Sequence, residues 1–114
     1  MEEESKRSSQ MLKGILEGCI LIIIGREPVY GYEMNEKLQR YGFSTVSEGT
    51  IYPLLLKLQT KKLIMGELMP SPGGPMRKYF KLTEAGVSER DAFIEQWTRL
   101  HTSVSQLVKG DEQP

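Results

Sequence analysis

The sequence predicts a single, mainly α-helical domain that carries one small β-hairpin, which is an α+β fold class. Four segments repeat apolar residues at helical spacing, and two short runs of β-compatible residues flank a stretch rich in proline and glycine. The chain has 114 residues, of which 39% are apolar and 26% are charged. This length provides for one domain with one core and excludes a two-domain enzyme.

The first helix is predicted from Met11 to Ile24, because apolar residues recur there at helical spacing, and Gly25 follows as a stop. Gly14 and Gly18 lie four residues apart on one face of this helix. Each glycine costs about 1 kcal/mol relative to alanine inside a helix. We therefore expect a neighbouring helix or a ligand to approach this face closely.

A second, shorter helix follows Pro28, which interrupts helical structure. It is predicted from Tyr30 to about Tyr41. Its apolar residues Met34 and Leu38 are four positions apart, so both are predicted to face the core.

The third helix is predicted to begin after Ser47, a residue type that favours helix N-caps. Pro53 falls within its first two turns, where it lacks the N–H that would donate to the Gly49 carbonyl. We expect irregular geometry in these turns. The buried stripe of this helix is predicted to consist of Ile51, Leu54, Leu55 and Leu58.

A β-hairpin is predicted from the runs Leu63–Met69 and Met76–Leu82. Residues 70–75, PSPGGP, separate the two runs and are predicted to form a loose tip.

The fourth helix is predicted to be the longest. Thr83 is its N-cap, Glu84 suits its positive N-terminal end, and Gly110 ends it. Its roughly 26 residues span about 39 Å at 1.5 Å per residue. Three short helices and a hairpin are too small to cover its apolar stripe, which comprises Phe93, Ile94, Trp97, Leu100, Val104, Leu107 and Val108. We expect a second chain to cover the stripe, and the alternative is that the helix folds back on its own domain.

The formal charges are unevenly distributed, although 15 basic and 15 acidic residues give a net charge of zero. Residues 1–48 have a balance of −2 and residues 84–114 a balance of −3. Residues 49–83 carry +5 and are called the basic segment. It contains the third helix and the hairpin, so any charge-driven binding is expected there.

Several functional classes are excluded by residue counts. His101 is the only histidine and Cys19 the only cysteine, so one chain cannot assemble a zinc site, a Cys/His dyad or a Ser/His/Asp triad. No glycine-rich phosphate loop is present, and we expect no enzyme activity, no cofactor and no metal. The longest apolar run is too short to cross a membrane, and the first residues do not form a secretory signal, so the expected compartment is the cytosol.

The predicted order of elements, three helices, a hairpin and a long helix, describes a winged helix-turn-helix followed by a dimerisation helix. The third helix would contact DNA through Ser47, Thr50, Tyr52 and Lys57. The hairpin would contact the neighbouring backbone through Arg77, Lys78 and Tyr79. The chain then divides into a flexible tail (1–10), a DNA-binding domain (11–83), a dimerisation helix (84–110) and a second flexible tail (111–114).

Three motifs resemble those of PadR-type transcriptional regulators: GYE at residues 31–33, EGTIYPLL at 48–55 and GPMRKYFKLTEAG at 74–86. The resemblance extends from Leu12 to Leu107, and the single C-terminal helix is similar to that of the short subfamily. It implies a dimeric repressor that binds an inverted-repeat operator in double-stranded DNA and is released by a small aromatic or drug-like effector.

The resemblance also implies that Trp97 stacks on a planar effector at the dimer interface. His101 is one turn further along the same face and would supply a polar contact. Gly18, on the first helix, is a third candidate for contact with the effector. The alternative is that Trp97 is only the largest side chain in a packed dimer core.

A second function remains open at this point, namely a winged-helix module that binds other proteins and has no operator of its own. The charge distribution separates the two hypotheses, because a module that binds only proteins has no need for +5 on the third helix and the hairpin.

Overall fold

The computed structural model of the chain describes residues 10–44 and 46–110. The predicted tails, 1–10 and 111–114, lie outside these residues except for Gln10, which is helical. The described chain is mostly helical with one small sheet, as predicted. Its elements are α1 (Leu16–Arg26), β1 (Val29–Tyr30), α2 (Gly31–Arg40), α3 (Glu48–Thr60), β2 (Ile64–Ser71), β3 (Gly74–Leu82) and α4 (Glu84–Lys109).

Helix α1 differs from its predicted extent at both ends. Residues 13–15 form a turn, and Ile15 precedes the helix with φ −121° and ψ −10°. The turn contains Gly14, whose low helix propensity outweighs the apolar periodicity there. The prediction that Gly25 stops the helix is also wrong, because α1 continues to Arg26 and ends at the extended residue before Pro28.

The hydrophobic core lies where α1, α2 and α3 pack over the sheet. Met34 and Leu38 of α2 are fully buried, as predicted. Pro53 does not disturb α3, which is helical throughout, so the expected irregular turns are absent. Gly49 is exposed, and its carbonyl can therefore bond to water instead. The core comprises Leu16, Ile20, Leu21, Ile23, Ile24, Val29, Met34, Leu38, Val46, Ile51, Leu55, Leu58, Ile64 and Phe80.

The sheet has three antiparallel strands in the order β1-β3-β2. The sequence did not predict β1, a two-residue strand in which Val29 pairs with Phe80. The hairpin tip is tight, contrary to the loose tip predicted, because Ser71 pairs with Gly74 across a two-residue turn. Gly73 has φ 66° there, a conformation that suits glycine, and the Ser71 hydroxyl donates to the Pro75 carbonyl at 2.6 Å.

Helix α4 begins and ends as predicted. Thr83 Oγ1 accepts a hydrogen bond from Gly86 N at 3.0 Å, and Gly110 ends the helix with φ 72°. A Cβ at Gly86 would overlap the Leu63 carbonyl, so this glycine allows α4 to approach the loop before β2. Beyond Phe93 the helix projects from the core, and the described chain measures 61 × 36 × 23 Å.

Candidate nucleic-acid interface

A cavity of about 490 Å³ lies between the start of α2, the outer face of α3 and strand β3. We call it the aromatic groove because tyrosines form much of its wall. Three of the predicted DNA contacts, Tyr52, Arg77 and Lys78, line it. The other lining residues are Tyr30, Gly31, Tyr32, Leu55, Leu56, Gln59 and Phe80.

The tyrosines of the groove contact one another by their edges. The ring centroids of Tyr32 and Tyr52 are 5.9 Å apart with the planes at 82°, and those of Tyr30 and Tyr32 are 6.2 Å apart. A Cβ at Gly31 would lie 3.2 Å from a Tyr52 ring carbon, so the glycine lets this ring approach the start of α2. Tyr79 packs on Tyr30 at 5.6 Å and extends the cluster along β3.

The Tyr52 hydroxyl remains protonated at neutral pH. Desolvation, followed by the neighbouring Tyr32 hydroxyl and the charge of Glu48, raises the pKa of Tyr52 above its ordinary value. Tyr52 is therefore an O–H donor, which suits a phosphate oxygen or a base acceptor.

The basic residues of β3 lie at the edge of the groove. The Arg77 guanidinium lies 4.6 Å from the Tyr30 ring centroid, and Lys78 Nζ lies 5.4 Å from the centroid of Phe80. Both side chains are exposed, and neither forms an ion pair with a residue in 10–44 or 46–110. Their charges are thus available to an anionic partner.

Three further cations of the basic segment, Lys57, Lys61 and Lys81, are already paired with carboxylates. Glu17 of α1 holds Lys57 at 3.0 Å and Lys61 at 3.6 Å. Lys81 is 2.6 Å from Glu67 on the adjacent strand. The structure therefore places Lys57, a predicted DNA contact, against α1 and away from the aromatic groove, and Lys57 must leave Glu17 before it reaches a phosphate.

Ser47 and Thr50 are exposed at the start of α3, as expected for residues that reach a partner from this end. Ser47 occupies the N-cap position, but its hydroxyl lies 3.4 Å from that of Thr50 and does not cap the backbone. Thr50 lines a second cavity of about 330 Å³, together with Leu12 and Lys13. Ser47 and Thr50, both predicted DNA contacts, thus lie outside the aromatic groove.

Three residues that line the groove were not predicted as site residues, namely Tyr30, Tyr32 and Leu56. Tyr32 belongs to the GYE motif, which was the only available signal for it. Leu56 lies outside the apolar stripe of α3 and is 65% exposed, beside the groove. Exposed apolar residues on this face add contact area for a partner.

Two of the predicted effector contacts, Trp97 and His101, are neighbours on α4, and the third, Gly18, lies on α1. The Trp97 and His101 rings are 5.4 Å apart, and Trp97 is 42% exposed. Gly18 lies beneath the Phe93 ring of the same chain, which is the close approach expected there, whereas a Cβ at Gly14 would meet nothing within 4 Å, so the expectation is wrong at Gly14. A role for these three residues in effector binding stays a prediction.

The part of the chain that the structure describes contains neither a metal-binding cluster nor a membrane-spanning helix. No cluster of three or more His, Cys, Asp or Glu side chains there could hold a metal ion. Over the same residues, no helix combines the length and apolar character needed to cross a membrane.

The helices, the hairpin and the appended helix together define a winged helix-turn-helix protein. Residues 20–92 match the transcriptional regulator PadR-like family, which covers more than half of the chain. The chain therefore belongs to the PadR-like family of transcriptional regulators, and it is a regulator and not an enzyme.

Solved structures support this assignment. A PadR-like transcriptional regulator from Bacillus cereus is 52% identical, with a TM-score of 0.85 over 90% of this chain and 99% of that one. A transcriptional regulator from Streptococcus is 47% identical, with a TM-score of 0.80 over 86% of this chain and 96% of that one. Bacillus subtilis PadR in complex with operator DNA has a similar fold, at 22% identity and a TM-score of 0.61, over 70% of this chain and 46% of that one.

Proposed function

We propose that this protein is a homodimeric repressor of transcription, which binds an inverted-repeat operator through α3 and the hairpin and is released by a small aromatic effector. The proposal that the protein binds DNA rests on the position of Arg77 and Lys78. Both are exposed without an ionic partner among the described residues, directly beside the exposed face of α3. A phosphate backbone is the partner that unpaired cations beside a recognition helix fit best.

The two elements have different roles in this proposal. Ser47, Thr50 and Tyr52 carry hydroxyls near the start of α3, where they can reach base edges in the major groove. Arg77, Lys78 and Tyr79 lie on the hairpin, where they contact the adjacent phosphates. Lys57 contributes less, because its ion pair with Glu17 must break first. Bacillus subtilis PadR, which has a similar fold, was crystallised in complex with operator DNA, and this supports DNA as the partner.

The dimer is proposed from the apolar stripe of α4. Trp97, Leu100 and Val104 are between 42% and 56% exposed in the single chain, and Leu107 and Val108 are exposed further. These residues recur at three-and-four spacing, so they form one continuous face. A two-fold axis would pair this face with its own copy and present two α3 helices to the half-sites of an inverted repeat.

The test is a mobility-shift assay with DNA from immediately upstream of the protein's own gene and a scrambled duplex of the same composition. Lys78→Ala should weaken binding to both duplexes and reduce the salt dependence, because it removes a phosphate contact. Thr50→Ala should mainly reduce the preference for the upstream DNA. Lys109→Ala removes the same charge at the far end of α4 and should bind both duplexes as the wild type does.

The alternative function, a module that binds only proteins, predicts a different result. In that case neither duplex shifts at physiological salt, and Lys78→Ala and Lys109→Ala are indistinguishable. If both Thr50→Ala and Lys78→Ala shift the upstream DNA as the wild type does, the assignment of α3 and the hairpin is wrong.

The effector is proposed to be a planar aromatic molecule that stacks on Trp97 at the two-fold axis. One tryptophan on a face that meets its own copy brings two indoles close together, and His101 adds a polar group 5.4 Å away. Phe93 is one turn before Trp97 on α4, and its ring covers Gly18 of α1, the third candidate contact. Release of DNA follows if the effector binds more tightly to the dimer arrangement that does not fit the operator.

Tryptophan fluorescence tests the effector proposal, since Trp97 is the only tryptophan. A panel of flat aromatic molecules should quench it and lower the affinity for the operator. In Trp97→Ala the effector should no longer lower the affinity for the operator, and the variant should remain a dimer that binds DNA. Loss of the dimer in Trp97→Ala would instead identify Trp97 as a core residue, and fluorescence that ignores the whole panel would refute the effector.

A further inference from the structure

The outermost face of α3 carries no charged side chain. Gly49, Pro53, Leu56 and Thr60 recur at intervals of four and three residues, so they lie on one side of the helix, and all four are exposed. We call these four residues the α3 ridge. Leu56 is the largest side chain of the ridge and is 65% exposed. A recognition helix that enters a major groove presents such a ridge to the base edges.

Helix α3 has few of the side chains that read bases through two hydrogen bonds. Arginine and lysine bind guanine in this way, and asparagine and glutamine bind adenine. Of these four residue types α3 contains only Lys57 and Gln59. Lys57 is held by Glu17 at 3.0 Å, and Gln59 is partly buried in the wall of the aromatic groove. Neither belongs to the α3 ridge, so base recognition by the ridge depends on apolar contact.

Thymine is the base whose edge fits an apolar ridge with a hydroxyl beside it. In the major groove thymine presents its C5-methyl group next to the O4 acceptor, and the other three bases present no methyl group. Leu56 offers aliphatic surface to the methyl group. Tyr52 is four residues earlier, and therefore next to Leu56 on the helix surface, and its hydroxyl can donate to O4.

We propose that α3 reads thymine methyl groups in the operator, with Leu56 as the residue that determines this preference and Pro53 as a second contact. Pro53 and Leu56 are about 4.5 Å apart along the helix axis, at 1.5 Å per residue. Successive bases of one strand are about 3.4 Å apart, so the two side chains can contact neighbouring base pairs. This inference rests on the proposed DNA-binding function and adds the chemistry by which α3 distinguishes one DNA sequence from another.

The experiment removes the methyl groups from the DNA and leaves its base pairing unchanged. The duplex from immediately upstream of the protein's own gene is synthesised with thymine and, separately, with uracil at every thymine position. Uracil pairs as thymine does and keeps O4, but it lacks the C5-methyl group. The wild type should bind the uracil duplex about tenfold more weakly, because each half-site loses the burial of at least one methyl group, worth roughly fourfold in affinity. Fluorescence anisotropy measures both affinities.

Leu56→Ala identifies the side chain that contacts the methyl groups. Its affinities for the thymine and uracil duplexes should differ by no more than about threefold, because the larger aliphatic surface is gone. Leu56 is 65% exposed and alanine favours helices, so this variant should fold.

Leu68→Ala is the matched control. Leu68 is also a leucine and is 67% exposed, but it lies on β2, in the hairpin that is assigned to phosphates. The methyl groups lie in the major groove and the phosphates are the same in both duplexes, so Leu68→Ala should retain the tenfold difference of the wild type. A scrambled duplex, synthesised in both forms, should bind the wild type equally in each, since phosphate contacts dominate that complex.

The outcomes separate this inference from the proposed function. If the wild type prefers the upstream to the scrambled duplex but binds its thymine and uracil forms equally, the thymine inference is wrong while the proposed function stands. If Leu56→Ala retains the full difference between thymine and uracil, Leu56 is not the residue that reads the methyl groups. If the wild type binds the upstream duplex no more tightly than the scrambled one, the proposed function fails and the thymine inference fails with it.

Discussion

Apolar residues have opposite environments at the two ends of this molecule. Ile20 and Leu38, in the winged unit (residues 16–82), are fully buried, whereas Leu107 and Val108, near the end of α4, are 78% and 80% exposed. Both ends are amphipathic, but only the first buries its apolar side chains within one chain. This difference is the basis of the proposal that α4 packs against a second chain.

The largest effect is expected from a charge in the exposed stripe of α4. Val104→Glu would bury an unpaired carboxylate on each side of the proposed dimer, at several kcal/mol per charge, and should weaken dimerisation by roughly a thousandfold or more. Gln106→Glu adds the same charge near the opposite face of the helix and should leave the dimer intact. Sedimentation velocity over a range of concentrations distinguishes them, and a normally dimeric Val104→Glu would show that the stripe is not the interface.

A smaller effect is expected where α4 joins the winged unit. Gly86→Ala should lower the free energy of unfolding by about 1–3 kcal/mol, because its Cβ would overlap the Leu63 carbonyl and push α4 away. Ser88 is exposed in the same turn, so Ser88→Ala should change the free energy of unfolding little. Urea denaturation at equal protein concentrations measures both, and a Gly86→Ala midpoint equal to that of the wild type would contradict the close approach.

The unpaired and the paired cations of the basic segment should contribute differently to the salt dependence of DNA binding. Replacing both Arg77 and Lys78 by alanine should reduce the slope of log affinity against log salt by roughly two for each hairpin. Lys57→Ala should reduce it less, since Lys57 is paired with Glu17 at 3.0 Å. Fluorescence anisotropy with a random duplex at several salt concentrations gives the slopes. If Lys57→Ala reduces the salt slope as much as the double variant does, Lys57 contacts the DNA as well.

The smallest effect is expected from releasing the paired lysines. Glu17→Gln removes the carboxylate that holds Lys57 and Lys61 and should raise affinity for random DNA by about threefold at low salt. Glu95→Gln, on α4, makes the same change away from α3 and should have no such effect. If Glu17→Gln binds random DNA no more tightly than Glu95→Gln, the ion pairs do not restrain these lysines.

The parts of the fold with strong local signals could be predicted from the sequence. Thr83 and Gly110 delimit α4 by cap chemistry, and Met34 with Leu38 identifies the buried face of α2. Strand β1 could not be predicted, because its two residues are stabilised by pairing with β3 and carry no pattern of their own. The turn at residues 13–15 could not be predicted, because the apolar periodicity continues through Gly14 in spite of its low helix propensity.

The candidate site was only partly predictable for a related reason. Arg77, Lys78 and Tyr52 are in recognisable motifs, and the fold brings all three to one groove. The pairing of Lys57 with Glu17 joins residues 40 positions apart, and no local pattern predicts such a contact. Tyr32 and Leu56 acquire a role only when α2 and α3 pack side by side.

Two winged units, joined through α4, are proposed to bind one DNA duplex. Sedimentation of a fluorescently labelled upstream duplex with increasing amounts of protein tests it directly. We expect a complex of two chains per duplex, which forms at lower protein concentration on the upstream duplex than on the scrambled duplex and does not form with Val104→Glu. A complex of one chain per duplex, or equal binding to both duplexes, would contradict it.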